Sequence, residues 1–161
     1  MKRWRALGFV AVCLLAGAWA FAPRADLVLY NHSPSVPIGL YVRQDAEAAR
    51  GVYVTVRASA VAPEAARAHA FTDAGDRFIK RVAAVAGDEV CADADHLYIN
   101  GAAVAARAGE LPLWRGCRPL HAGEILLMGD NDQSFDGRYW GPTRTDLIEG
   151  VWRKLDAPFG V

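Results

Sequence analysis

The sequence predicts a mainly β domain hung from one N-terminal transmembrane helix. Eight short runs rich in β-branched and aromatic residues recur between residues 27 and 155, parted by Gly, Asp and Pro. Beyond residue 24 a single stretch, 63–71, reads as helix. Ahead of both, residues 6–22 form a 17-residue run without a charge.

The uncharged run comes first. A spanning helix needs about 17–25 apolar residues to cross the hydrocarbon core. Lys2, Arg3 and Arg5 precede the run, and Trp4 and Trp19 suit the two membrane interfaces. Basic residues stay on the cytoplasmic side, so everything after Arg24 is expected outside. Residues 1–24 are thus read as a cytoplasmic stub and signal anchor, and 25–161 as one external domain. The rival is a cleaved signal peptide, with small-x-small triplets at Ala18-Trp19-Ala20 and Ala20-Phe21-Ala22. A cut after the second would leave Pro23 at the new terminus, which favours an uncleaved anchor.

The β-rich runs are 27–30, 38–42, 52–57, 77–85, 89–92, 97–100, 124–128 and 151–155. Gly87-Asp88 and Ala122-Gly123 bound some of them as turns, and Asn100-Gly101 after Leu-Tyr-Ile is a strong hairpin signal. Pro63 opens the helical stretch at a first-turn position, and an Ala-rich body follows. Residues 105–121, with Gly and two Pro, read as an extended loop.

Composition narrows the function classes. The chain has 161 residues, 53% of them apolar, with 18 basic and 18 acidic side chains. It is able to bury a core, so disorder is not expected. Balanced charge argues against nucleic acid as a partner. No His or Cys pair has zinc-site spacing, and no metal or cofactor is expected. Cys13 sits in the anchor as an apolar filler. Cys91 and Cys117 lie in the exported part and are expected to form a disulfide across 25 intervening residues.

Three blocks carry chemistry. The first is Asn31-His32-Ser33-Pro34-Ser35-Val36-Pro37-Ile38-Gly39-Leu40-Tyr41, within about ten residues of the expected membrane exit. The second runs Phe78-Ile79-Lys80-Arg81-Val82 to Gly87-Asp88. The third is Gly129-Asp130-Asn131-Asp132-Gln133-Ser134-Phe135-Asp136-Gly137-Arg138-Tyr139-Trp140-Gly141-Pro142. Alone, a serine between prolines is usually a turn residue. Side chains alternate across a strand, however, so Lys80 shares a face with Phe78 and Val82 while Arg81 points the other way. An unpaired ammonium on an apolar face is costly.

Together the blocks resemble the type I signal peptidases, the S26 family. The third is the most specific. The first departs from the usual Ser-Met-x-Pro-Thr pattern and, with Phe135-Asp136-Gly137-Arg138, resembles the conjugative-transfer, TraF-like branch. The resemblance spans about residues 27–155 and implies a signal-peptidase-like β-sheet fold. It implies Ser35 as nucleophile and Lys80 as general base. Ser33 would help the Ser35 N–H hold the oxyanion, and Ser134 would orient the lysine. Asp136 and Arg138 would form a supporting ion pair, and Asp130 and Asn131 a turn beneath the site.

The chemistry is consistent with those roles. A serine hydroxyl needs a base, and a lysine serves only when neutral, which burial promotes. His32, His69, His96 and His121 lack a carboxylate placed to complete a triad. The resemblance implies a single-pass enzyme of a bacterial inner membrane, its catalytic domain in the periplasm. Its partners would be the lipid bilayer and a membrane-inserted, pilin-like precursor with small residues before the cut. The alternatives are a general type I signal peptidase and, from another class, a non-catalytic tethered β domain that assembles channel components. A self-cleaving repressor-type protease lacks its DNA-binding region here.

Overall fold

The computed structural model describes residues 26–68, 76–107 and 114–155. The expected membrane helix over residues 6–22 lies outside them, and among the described residues no helix is long and apolar enough to cross a membrane. In chain order the elements are β1 (Val28–Asn31), β2 (Gly39–Gln44), β3 (Tyr53–Arg57), α1 (Ala58–Val61), α2 (Pro63–Ala68) and β4 (Arg77–Ala84). Then come β5 (Glu89–Ala92), β6 (His96–Ile99), β7 (Ala102–Ala106), β8 (Gly116–Pro119) and β9 (Glu124–Met128). The last are α3 (Gly137–Trp140), β10 (Thr143–Arg144) and β11 (Ile148–Lys154).

The mainly β architecture expected from the sequence is present, as two antiparallel sheets. The larger has the order β1-β2-β11-β3-β4-β9-β10, the smaller β7-β6-β5-β8. Four of the five residues of β3 are buried, because it lies in the middle of the large sheet. Its Thr55 is satisfied by the Trp152 indole, which donates at 2.9 Å. Val54, Val56, Val82, Ile125, Leu127 and Val151 form one core of this sheet. A second, of Val36, Tyr41, Tyr53, Ile79 and Trp152, draws in the nucleophile block through Val36. The small sheet closes over Val90, Ala92, Leu97 and Ile99, which pack with Ala84, Leu120 and Leu126.

Asn100 and Gly101 both adopt positive φ (52° and 80°), the geometry of a two-residue turn matched to strand twist, and they join β6 to β7. The expected loop over 105–121 is corrected. Residues 102–106 and 116–119 form β7 and β8, the two edges of the small sheet. An edge strand borrows its register from its neighbour, so it needs no apolar alternation of its own. Pro119 at the end of an edge strand is also tolerated. The helical stretch is observed as Pro63–Ala68, preceded by an unexpected turn at Ala58–Val61, and the remainder of 63–71 lies outside the described residues.

Candidate active site

Lys80 occupies the middle of β4, paired opposite Val54 of β3. It is only 3% exposed. Its ammonium lies 5.5 Å from the Phe78 ring centroid and donates to Ser134 Oγ at 2.8 Å. Burial is the main reason its pKa falls, from 10.5 to about 8. Asp136 and, more weakly, Asp130 oppose that fall, while Arg138 assists it. A lysine in this state is half neutral near pH 8 and is able to accept a proton.

Ser35 sits in the turn between β1 and β2. The turn's anchor is the neighbouring Val36, 1% exposed. Ser33, Ser35, Lys80 and Ser134 line one cleft of about 750 Å³, whose apolar wall includes Leu29 and Ile79. Gly129 brings the third block against the first. A Cβ at that position would lie 2.1 Å from Ser134 Oγ and 2.7 Å from the Ser35 carbonyl oxygen. Only a residue without a side chain lets the third block pass between those two groups. The next residue, Asp130, donates its N–H to the Ser35 carbonyl at 2.7 Å. The Ser35 N–H in turn meets Ser33 Oγ at 3.4 Å. A hydroxyl and an N–H thus stand side by side at the cleft.

Asp136 and Arg138 form a buried ion pair, 0% and 1% exposed at their side chains. Arg138 reaches Asp136 through Nε at 2.8 Å and through its terminal nitrogen at 2.7 Å. It also donates to the carbonyls of Asp132 and Asn131. Asp136 accepts from the Gly129 N–H at 2.7 Å and caps α3 through the Arg138 N–H. The pair therefore shapes the segment 129–138 on which Ser134 stands.

Sequence reasoning missed a second pair. Asp130 accepts from Arg81 Nε at 2.7 Å and from the Tyr53 hydroxyl at 2.8 Å, and Arg81 also touches that hydroxyl. Burial pushes the Asp130 carboxyl up, yet Arg81 and Tyr53 outweigh it and hold it below its ordinary value. Burial and the Asp130 carboxylate raise the Tyr53 hydroxyl pKa. The alternation that turns Lys80 inward sends Arg81 to the opposite face. Nothing in the spacing showed that Asp130 would meet it there. Outside the lining of the cleft, the sulfurs of Cys91 and Cys117 are bonded at 2.11 Å across the β5–β8 pair. No cluster of metal-ligating side chains occurs among the described residues.

The family model described as signal peptidase, peptidase S26, matches residues 1–154. A plasmid transfer protein TraF from Escherichia coli is 33% identical over 96% of this chain and 95% of its own. A second Escherichia coli plasmid transfer protein TraF is 31% identical, over 92% of this chain and 90% of its own. A signal peptidase I structure from Enterococcus faecalis overlays with a TM-score of 0.41 and 21% identity, covering 67% of this chain and 98% of that one. At that distance it assigns no residue a role.

Proposed function

The chain belongs to the signal peptidase family S26, and we propose that it is a membrane-anchored serine endopeptidase with a Ser35–Lys80 dyad, maturing a pilin-like precursor for conjugative transfer. The observation that carries the chemistry is Lys80: buried, held by Ser134, with a pKa near 8 and in the same cleft as Ser35. The likeness to plasmid transfer proteins supports the conjugative setting.

In this reading neutral Lys80 takes the Ser35 hydroxyl proton as Oγ attacks the scissile carbonyl. The Ser33 hydroxyl rotates away from its resting contact with the Ser35 N–H, and both then donate to the developing oxyanion. Collapse breaks the C–N bond, and Lys80 returns its proton to the departing amine. Water, or an amine of the substrate, then attacks the acyl-enzyme ester and frees Ser35. The hydroxyl of Ser134 keeps the Lys80 nitrogen aimed while the proton moves.

The first strands also support a membrane-proximal site. Leu27, Val28, Tyr30, Ile38 and Leu40 are exposed apolar residues on and beside the β1–β2 hairpin that flanks Ser35. This apolar lip begins only five residues after the uncharged run ends at Ala22.

The test is co-expression with pilin-like precursors encoded beside the gene, followed by intact-mass analysis of the products. A precursor shortened by the wild type and untouched by Ser35→Ala supports the proposal. Processing of unrelated export signals with equal efficiency would favour a general signal peptidase. Processing that survives Ser35→Ala would refute the dyad.

A further inference from the structure

Asn31 closes β1 and is the first residue of the nucleophile block, yet the chemistry above gives it nothing to do. It is 5% exposed. Its amide nitrogen donates to the carbonyls of Ser33 at 2.8 Å, Val36 at 3.1 Å and Pro37 at 3.3 Å. Its amide oxygen accepts from the Ser33 N–H at 3.1 Å. The orientation of the amide is unambiguous, because the flipped group would set its oxygen against three carbonyl oxygens. One side chain thus grips both ends of the turn that carries Ser35. Tyr41 adds a second tie, its hydroxyl donating to the Pro37 carbonyl at 2.6 Å.

These bonds decide where the turn's remaining polar groups point. With the carbonyls of residues 33, 36 and 37 drawn towards Asn31, the Ser35 N–H is left beside the Ser33 hydroxyl at 3.4 Å, and both residues line the cleft. We infer that Asn31 is a positioning residue that pre-organises the two oxyanion donors, with Tyr41 as its auxiliary; this rests on the proposed Ser35–Lys80 reading. A polar residue could satisfy one buried carbonyl merely for stability. A donor shared among three carbonyls of a five-residue turn restrains the whole turn, and restraint of donors before reaction is what lowers the barrier.

The test uses the full-length protein in detergent and an internally quenched peptide with alanines before the cut. Activity is normalised to the folded fraction from near-ultraviolet circular dichroism. Asn31→Ala should lower kcat by about 10- to 100-fold with KM changed less than about two-fold. The pH midpoint should stay where the wild type has it, because Lys80 is untouched. Asn31→Ala combined with Ser33→Ala should be scarcely worse than the stronger single change, since both disable one device. Asn31→Asp keeps the acceptor for the Ser33 N–H but not the donors, and should behave like Asn31→Ala. Unchanged kcat per folded molecule in Asn31→Ala, while Ser35→Ala is inactive, would overturn the inference and leave the dyad standing. Should Asn31→Ala and Asn31→Asp fail to fold, Tyr41→Phe carries the test. It removes one hydroxyl and keeps the ring, so a lower kcat at constant KM supports the inference and an unchanged kcat overturns it. Activity in Ser35→Ala would overturn the dyad and this inference with it.

Discussion

The two sheets bury different kinds of polar group. The small sheet keeps an apolar interior of Val90, Ala92, Leu97 and Ile99; its buried guanidinium, Arg107 just after β7, donates to the backbone carbonyls of Asp93 and Trp114, and other polar groups are settled in local turns. Asp93, for example, accepts from the N–H groups of Asp95 and His96 and from the Tyr98 hydroxyl. A disulfide closes the same sheet. The large sheet buries Lys80, Asp136 and Arg138, each 3% exposed or less. Buried charge is a poor source of stability unless every partner is in place. The difference is that one sheet is tied by a covalent cross-link, while the other accepts the energetic cost of burying a lysine whose charged form its surroundings penalise.

The sharpest way to break this contrast is to remove the chemistry. Lys80→Arg should reduce cleavage by at least about 10³-fold, as should Ser35→Ala, and the Ser35→Ala/Lys80→Ala double mutant should be no worse than either alanine variant. Guanidinium stays protonated at working pH, so an active Lys80→Arg enzyme would sink the dyad. Wild-type activity should rise with pH through about 8, as Lys80 loses its proton; a flat profile in peptide cleavage assays would count against it.

Arg138→Ala probes the cost of buried charge directly. It leaves the Asp136 carboxylate buried without its partner and should lower stability by about 3–5 kcal/mol. Melting temperature and activity should fall together. Lost activity with unchanged melting would give Arg138 a direct role at the substrate.

Cys91→Ser with Cys117→Ser should act in the other sheet alone. In the loop-entropy picture the bridge contributes about 3–4 kcal/mol, so denaturant midpoints should drop. The kcat of the folded fraction should stay within about two-fold, because no residue of the β5–β8 pair lines the cleft. A large kcat loss would show that the sheets are coupled.

The smallest expected change has the opposite sign. The Lys80 pKa is 10.5 when free and about 8 in the fold, so the unfolded chain holds the proton more tightly. Below pH 8 the fold therefore bears the full cost of the buried ammonium, about 3 kcal/mol, and the cost fades as pH rises from 8 to 10.5. Lys80→Met should be more stable than the wild type at pH 7, less the loss of the Ser134 contact. The advantage should shrink towards pH 10.5 in chemical denaturation. A destabilised Lys80→Met at pH 7 would mean that the ammonium is well solvated or well paired.

Much of this was legible in the chain itself. Runs rich in β-branched and aromatic residues, with their turn residues, gave every strand of the large sheet except the two-residue β10, and in the small sheet β5, β6 and the Asn100-Gly101 hairpin, because those signals are local. The alternation around Lys80 was enough to turn it inward and Arg81 outward. The edge strands β7 and β8 were not legible, since their pairing comes from neighbours rather than from their own residues. Nor was the Arg81–Asp130–Tyr53 cluster, which joins residues up to 77 positions apart. Asn31 could be read only as part of a motif, because which carbonyls a side-chain amide meets depends on how the turn closes. Sequence by itself determined which residue types were on hand and which face of each strand they occupied. Tertiary structure alone decided that Gly129 would pass between Ser35 and Ser134, and that Lys80 would be buried deeply enough to move its pKa to about 8. Desolvation depends on what surrounds a group on every side, and that is settled only when distant strands pack.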